Sequence, residues 1–310
     1  MVSSHPSTLE VTQAPPSPPA TRRRRRGEAW PYMFILPMVC CVGLVFAYPL
    51  VTVVRNSFYT QSLGQTTFSG LSNYRALLED PVFKTSLFNS LKLLTVVPLV
   101  TVLALMIALM LFEGTRAWRA YRLVVFVPYI IPATAIGISF SYLLQQNGIV
   151  NIALRRVSLG FLAQDWIGNS KIVLFSIGGL LVWAQLGFGI VVFTASLLSL
   201  PKELSEAAAV DGATRWQANR LVVLPQIRGT VEFFLVLQAI QVIAWTFPYV
   251  YVLTHGGPGN ASSVMDLYVW RYAFQYSSPG LSSAAAVVLL IMASVLIAVY
   301  SRLRMKQSDR

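Results

Sequence analysis

Charged residues are scarce in this chain: Asp, Glu, Lys and Arg make up only 12% of its 310 residues. Soluble domains carry about a quarter. Apolar residues account for 55% of the sequence, and the mean hydropathy is +0.61. This composition excludes an ordinary soluble domain and predicts an integral membrane protein.

Cysteine and histidine are almost absent. Cys40 and Cys41 are neighbours inside an apolar stretch, and His5 and His255 are far apart. These residues can build neither a disulfide framework nor a metal cluster, so we expect no metal site. The G-x-x-x-x-G-K-[ST] loop that cradles phosphates is also missing from the sequence. We therefore expect no ATP or other cofactor to bind to this chain, and no catalytic residue.

Six windows are long and apolar enough to span a membrane, for which about 20 residues are needed. The third contains Pro128 and Pro132, which predict a kink. The fifth is the most polar. The windows are Tyr32–Val54, Phe88–Phe112, Tyr121–Leu144, Ile172–Leu198, Thr230–Leu253 and Leu281–Leu303.

Basic residues are distributed unevenly between the two sides that these spans define. Of the 24 Lys and Arg residues, 16 fall on the side of the termini and 8 on the other. Cytoplasmic loops carry the excess of Lys and Arg, so both termini are predicted to be cytoplasmic. The Pro- and Ser-rich residues 1–29, with five arginines at 22–26, are interpreted as a disordered tail that helps to set topology, and residues 306–310 as a second tail. The net charge of +12 is thus explained without nucleic acid.

The segment at about 200–226 is a predicted cytoplasmic helix–turn–helix. Ser199 is a candidate N-cap with Pro201 in the first turn, and Gly212 is a candidate stop. A second helix is expected to end before Pro225. One predicted face of the first helix combines small side chains with a carboxylate, at Leu204, Ala207, Ala208 and Asp211. From physical reasoning alone, this segment has two interpretations: a docking element for another protein, or an ordinary amphipathic connection between two spans.

The same segment, "EAAAVDGATRWQANRLVVLPQ", resembles the EAA loop of the permease subunits of binding-protein-dependent ABC importers. The matching residues are Glu206, Ala207, Ala208, Asp211, Gly212, Ala213, Leu224 and Pro225. "YVLTHGGPGNASSVMDLYVWRYAF", which includes Gly256, Gly257 and Pro258, and "FSGLSNYRALLEDPVFKTSLFNSL" resemble external segments of the sugar-type branch of that family. Independently, the glycines and proline predict a sharp turn.

The resemblance implies a fold and a set of partners. The fold is all-α, like a type I ABC importer permease, with six transmembrane helices and a coupling loop, over residues 30–305. The chain would be a non-enzymatic half of the pathway for a sugar in the plasma membrane of a prokaryote. Its implied partners are a second permease, two ATPase subunits carrying ATP and Mg, an extracellular solute-binding protein, and membrane lipids.

Polar and aromatic residues in the fourth and fifth spans are the candidates for the substrate pathway. Planar amides can bind sugar hydroxyls, and aromatic faces can pack on the ring. Gln238, Gln241 and Trp245 are predicted to share one helical face. The alternative is that these polar groups only bond neighbouring helices, at about 0.6 kcal/mol each. The candidates are Gln185, Gly187, Phe188, Gln238, Gln241, Trp245 and Thr246.

The main alternative function is an ion-coupled secondary carrier. Such a carrier predicts internal repeats and several carboxylates within the spans. Only Glu232 lies clearly within a predicted span, and we expect it to pair with Arg228 four residues earlier. A membrane enzyme would need clustered acids, nucleophiles or metal ligands, and export is disfavoured because the resemblance is to importers.

Overall fold

The structure is a computed structural model that describes residues 30–62, 65–112 and 118–308. The predicted tail of residues 1–29 and the end of the C-terminal tail, 309–310, lie outside the described residues. Contacts divide the chain into two units, Met1–Pro49 and Leu50–Arg310. The domain bounds of 30–305 stay a prediction.

The first described helix, α1 (Trp30–Val42), continues through a π-helical turn (Gly43–Ala47) into α2 (Tyr48–Asn56). Residues Met33–Asn56 are long and apolar enough to cross a membrane. This segment coincides with the first predicted window.

In the rest of the described chain, the regular structure is helical apart from one antiparallel hairpin, β1 (Tyr59–Ser62) and β2 (Gln65–Phe68), in which Tyr59 pairs with Phe68. A 3₁₀ turn (Gly160–Leu162) and π-helical turns at Asn219–Val223 and Arg271–Gln275 interrupt the α-helices. The α-helices are α3 (Ser72–Glu79), α4 (Pro81–Leu93), α5 (Val96–Phe112), α6 (Trp118–Ile130), α7 (Ala133–Leu143), α8 (Ile149–Arg156), α9 (Val173–Leu198), α10 (Lys202–Val210), α11 (Arg215–Ala218), α12 (Leu224–Gln226), α13 (Arg228–Ala244), α14 (Phe247–Thr254), α15 (Met265–Trp270) and α16 (Pro279–Ser308).

Besides the first helix, three single spans pass the same length and hydropathy test: Pro81–Phe112, Val173–Leu198 and Pro279–Arg302. The third predicted span is a bent pair, Val124–Ile130 and Ala133–Leu143, with an angle of 105° between the two helices. Pro132 lies at the break as the N-cap of α7. The predicted kink is confirmed, because a proline offers no N–H to continue the hydrogen-bond ladder.

The fifth predicted span holds two helices, α13 and α14, separated at Trp245 and Thr246. Pro248 lies in the first turn of α14. Its ring would clash with the carbonyl of residue 244 in a continuous helix, so the chain breaks there. At the other end of α13, Arg228 and Glu232 form the expected ion pair, with 2.7 Å between Nε and Oε1.

The main core is formed where α5, α9 and α13 pack together, and α6 packs along α9. Phe193 and Phe234 are fully buried at its centre, with ring centroids 4.9 Å apart. A second core joins α3, α4, α15 and α16 through Leu77, Phe83 and Tyr268.

Candidate functional site

The connection between α9 and α13 begins with α10, whose N-terminal cap differs from the expectation. Ser199 is the C-cap of α9 and its hydroxyl donates to the carbonyl of Ser196, 2.7 Å away. Pro201 is itself the N-cap of α10, with extended backbone and no side-chain cap. The prediction that Ser199 caps α10 is wrong, because α9 extends to Leu198 and Ser199 closes α9 instead.

The C-terminus of α10 is closed by a Schellman motif. The amide of Ala213 donates to the carbonyl of Ala208 at 3.0 Å, and the amide of Gly212 donates to that of Ala209 at 3.1 Å. Gly212 has φ of +78°, which a residue with a β-carbon adopts only with strain. Nothing lies within 4 Å of the position that its β-carbon would take, so the constraint is conformational rather than steric.

The second helix of the connection starts with a capping box. The Thr214 amide donates to Gln217 Oε1 at 2.8 Å, and the Gln217 amide donates to the Thr214 hydroxyl at 3.3 Å. The helical path then continues through the π-helical turn to Gln226. The expected end before Pro225 is wrong, because the π-helical turn leads directly into α12, where Pro225 lies in the first turn, a position that a proline tolerates.

The residues of the predicted α10 face differ in burial. Ala208 is only 8% exposed, because α10 packs against the π-helical turn Asn219–Val223, and Leu204 is half-buried. Glu206, Ala207 and Asp211 are exposed. Of the face predicted from Leu204, Ala207, Ala208 and Asp211, Ala208 and Leu204 therefore pack within the chain, whereas Ala207 and Asp211 are exposed. Ala213 and Leu224 are half-buried, and Gly212 and Pro225 are exposed.

Three large apolar side chains of this connection are exposed on the surface of the chain. Val210 is 88% exposed, Trp216 is 68% exposed and Leu221 is 70% exposed. Together with Glu206 and Asp211 they form what we call the coupling surface. Sequence reasoning passed over the three apolar residues, although a tryptophan in a short, charged, capped helix is a usable signal.

The predicted pathway residues of α9 lie where this helix approaches α6. A β-carbon on Gly187 would lie 2.2 Å from the Val125 carbonyl oxygen, so the backbones are in direct contact. Phe188 stacks on Tyr129 with ring centroids 4.7 Å apart and also contacts Phe234 at 5.9 Å. Gln185 is half-buried.

The predicted pathway residues of the fifth span do not share one environment. Gln238 is 2% exposed, and its amide nitrogen has no hydrogen-bond partner among the described residues. Gln241 is half-buried. Trp245 lies beyond the end of α13 and is 67% exposed, so the predicted shared face is wrong for Trp245. Thr246 is buried and donates to the carbonyl of Val242 at 2.6 Å.

The glycine–proline segment after α14 forms a compact turn. His255 and Gly256 have φ of +49° and +76°, and the Gly257–Pro258 bond is cis. The Ser262 hydroxyl donates to the carbonyl of Gly257 at 2.6 Å.

The same turn is attached to α4 by a buried amide. Asn89 Nδ2 donates to the carbonyls of Ala261 and Ser263, each at 2.9 Å. The turn therefore links the second span to the end of the fifth.

Two carboxylates that the sequence did not single out organise this end of the molecule. Burial raises the pKa of Asp266 to about 6, although its carboxylate accepts a hydrogen bond from the amide of Phe247 at the start of α14. Burial alone would also raise the pKa of Asp80. The hydroxyls of Tyr268 and Tyr272, at 2.7 and 2.8 Å, and the amide of Val82 nevertheless hold that pKa below its usual value. Among the described residues, no three His, Cys, Asp or Glu side chains are grouped so as to hold a metal ion.

Comparison with known proteins gives consistent matches. Residues 100–307 match the family described as "Binding-protein-dependent transport system inner membrane component". The arabinooligosaccharides transport system permease protein AraP of Bacillus subtilis is 30% identical over 273 residues, covering 86% of this chain and 85% of AraP. The alpha-glucoside transport system permease protein AglF of Rhizobium meliloti is 30% identical over 273 residues, covering 84% and 78%.

A solved structure has the same fold. It is a crystal structure of a bacterial ABC transporter involved in the import of the acidic polysaccharide alginate, with a TM-score of 0.78 and 22% identity. The match covers 90% of this chain and 96% of that chain. The likeness extends over almost all of the helical architecture described above.

Proposed function

Because the chain belongs to the family of binding-protein-dependent transport system inner membrane components, we propose that it forms half of the pathway of an ATP-driven sugar importer. The cargo would be a di- or oligosaccharide or a related polyol derivative. AraP and AglF, named for arabinooligosaccharide and alpha-glucoside transport, support the sugar class. The observation that carries the mechanism is the coupling surface, which the chain builds with two helix caps and leaves exposed.

The coupling surface would dock into a cytoplasmic ATPase subunit. Val210, Trp216 and Leu221 offer apolar area, and exposed aromatic residues are frequent anchors of protein interfaces. Glu206 and Asp211 add negative charge beside them. ATP and Mg would be bound by the partner, and closure of two such subunits would move α10 and, through it, α9 and α13. Both termini would then be cytoplasmic, on the side of this loop.

The sugar would pass between this chain and a second permease, delivered by an extracellular solute-binding protein. Gln238 is the best candidate for a polar contact, because a buried amide without a partner costs about 1–3 kcal/mol unless something satisfies it. Three half-buried residues could contact the sugar as well: Gln185, Gln241 and the aromatic Phe188. Gly187 and Thr246 would shape the pathway, and the exposed Trp245 would lie at its wall.

Co-purification from detergent-solubilised membranes tests the assignment. The native chain is expected to bring down an ATPase subunit and a second permease. Glu206→Lys and Gly212→Arg should lose the ATPase but keep the permease, since both residues lie on the loop alone. Glu79→Lys, an exposed glutamate on α3, is the charge-matched control and should behave like the native chain.

A transport assay with the purified assembly in liposomes decides between an importer and a secondary carrier. Uptake of neutral oligosaccharides should require ATP on the side of the membrane where the ATPase subunits lie. It should also require the solute-binding protein on the opposite side. Transport by this chain alone, driven by an ion gradient, would reject the proposal.

A further inference from the structure

A cavity of about 490 Å³ lies between the junction of α4 with α5 and the first half of α9. It is at the end of α9 opposite to the coupling surface. None of the predicted pathway residues lines it. The cavity is therefore separate from the site proposed for the sugar, and its size falls in the range of ligand pockets, about 300–1,000 Å³.

The two ends of this cavity differ in chemistry. Lys92 and Lys171 are exposed at one end, and neither forms an ion pair in the part of the chain that the structure describes. The wall beyond them is apolar, with Leu99 50% exposed and Phe175 79% exposed. Two lysines, one in the last turn of α4 and one just before α9, thus line a cavity with a largely apolar wall, which we call the trough.

The trough runs along the spans. Leu99 follows Lys92 by seven residues and Val182 follows Lys171 by eleven, which at about 1.5 Å per residue gives about 10 and 16 Å. Pro81–Phe112 has 32 residues, and its length of about 48 Å exceeds the hydrocarbon thickness of about 30 Å. Measured from the other end of this span at Phe112, Lys92 is 20 residues and about 30 Å away, which places it near the boundary between hydrocarbon and headgroups, with Leu99 within the hydrocarbon.

A glycine keeps the middle of the trough open. Gly179 lines the cavity and is exposed, and nothing lies within 4 Å of the position that its β-carbon would take. A large side chain at this position would fill the space between the two walls.

We propose that this cavity binds an anionic phospholipid. Lys92 and Lys171 contact its phosphate, and an acyl chain lies along Leu99, Phe175 and Val182. A pair of cations at the hydrocarbon boundary above an apolar trough is complementary to a phosphate above an acyl chain. A helix of another subunit would match the apolar walls but would provide no anion for the two ammonium groups without an acidic residue placed at this depth.

Lipid titration of the assembled, delipidated transporter tests the proposal, with native mass spectrometry counting bound molecules. The probes are dioleoylphosphatidylglycerol and the zwitterionic dioleoylphosphatidylcholine. The native protein should bind one phosphatidylglycerol that the Lys92→Gln/Lys171→Gln variant binds about tenfold more weakly or worse. Lys84→Gln/Arg75→Gln, which removes two exposed charges from outside the cavity, should bind like the native protein.

Two further variants keep the proposal falsifiable. Gly179→Phe should lose the bound lipid without loss of charge, because the ring fills the trough. Replacement of Leu99 with p-benzoylphenylalanine should yield a light-induced adduct with phospholipid. A cross-link to another subunit, or equal binding of both lipids by the native protein and the lysine variant, would overturn the inference.

Discussion

Two glycines of α9 provide a matched pair for testing the helix contacts. Gly187 and Gly179 lie eight residues apart in one helix and differ in what a β-carbon would meet. At Gly187 it would lie 2.2 Å from the Val125 carbonyl oxygen and 3.0 Å from the Phe126 α-carbon. At Gly179 it would meet nothing within 4 Å. Gly187→Ala and Gly179→Ala therefore add the same atom to opposite environments.

The two substitutions are expected to change the free energy of unfolding differently. Alanine is favoured over glycine inside a helix by about 1 kcal/mol, which is the whole effect expected for Gly179→Ala. At Gly187 the neighbours are backbone atoms, which cannot rotate away, and overpacking of this kind costs about 1–3 kcal/mol. Gly187→Ala should thus be less stable than Gly179→Ala by about 1–3 kcal/mol, or about 2–5 °C in apparent melting temperature for a chain of this length.

The assay is the fraction of monodisperse protein remaining after heating, read by fluorescence-detected size-exclusion chromatography in one detergent. The native protein should be less stable than Gly179→Ala by about 1 kcal/mol, and should lie between the two variants or beside Gly187→Ala. If Gly187→Ala is as stable as Gly179→Ala, the backbone contact between α6 and α9 is not where the structure puts it.

Three other perturbations have defined outcomes. Gly212→Ala should weaken capture of the ATPase subunit about fivefold, from about 1 kcal/mol of strain at positive φ, whereas Gly212→Asn should retain most of it in the same pull-down. Asp80 has a lowered pKa in the folded protein, so its stabilising contribution is complete above the unfolded value near 3.8 and is lost as the pH falls through the lower folded value. Melting temperatures from pH 6 to pH 3 should therefore fall more for the native chain than for Asp80→Asn. Asn151→Ala removes the amide that bonds the carbonyls of Gln146 and Gln164 at 3.0 and 2.7 Å, and should cost about 1–3 kcal/mol in thermal unfolding; a loss below a tenth of that would contradict the role of Asn151.

Local signals in the sequence predicted the features that depend on a few neighbouring residues. Gly212 ends α10 because positive φ is a property of one residue, and Pro132 breaks the third span because its missing N–H acts within one turn. Thr214 and Gln217 form a capping box over three residues, although the sequence reading placed only a helix there. The kink in the third span, the end of α10 and the start of the next helix each depend on residues within one helical turn.

Local sequence signals could not predict contacts between residues that are far apart along the chain. Tyr268 donates to Asp80, 188 positions away, and nothing near either residue indicates the other. Asp266 bonds the amide of Phe247 across the turn after α14. The periodicity put Ala208 on one helical face with Ala207 and Asp211, but the burial of Ala208 alone among them depends on how the chain folds back at Asn219–Val223.

The sequence by itself determined an all-helical membrane protein with six predicted spans, because hydropathy and the positions of proline and glycine carry that information, and its local motifs resembled those of the permease family that the comparisons then showed. Only the tertiary structure decided which side chains of the loop are exposed, which glycines face backbone, and that Gln238 is buried while Trp245 is not. The physical reason is that an apolar helix in a membrane protein has no polar side to show which face packs inward. Its orientation is set by the shape of its neighbours, and those come from far along the chain.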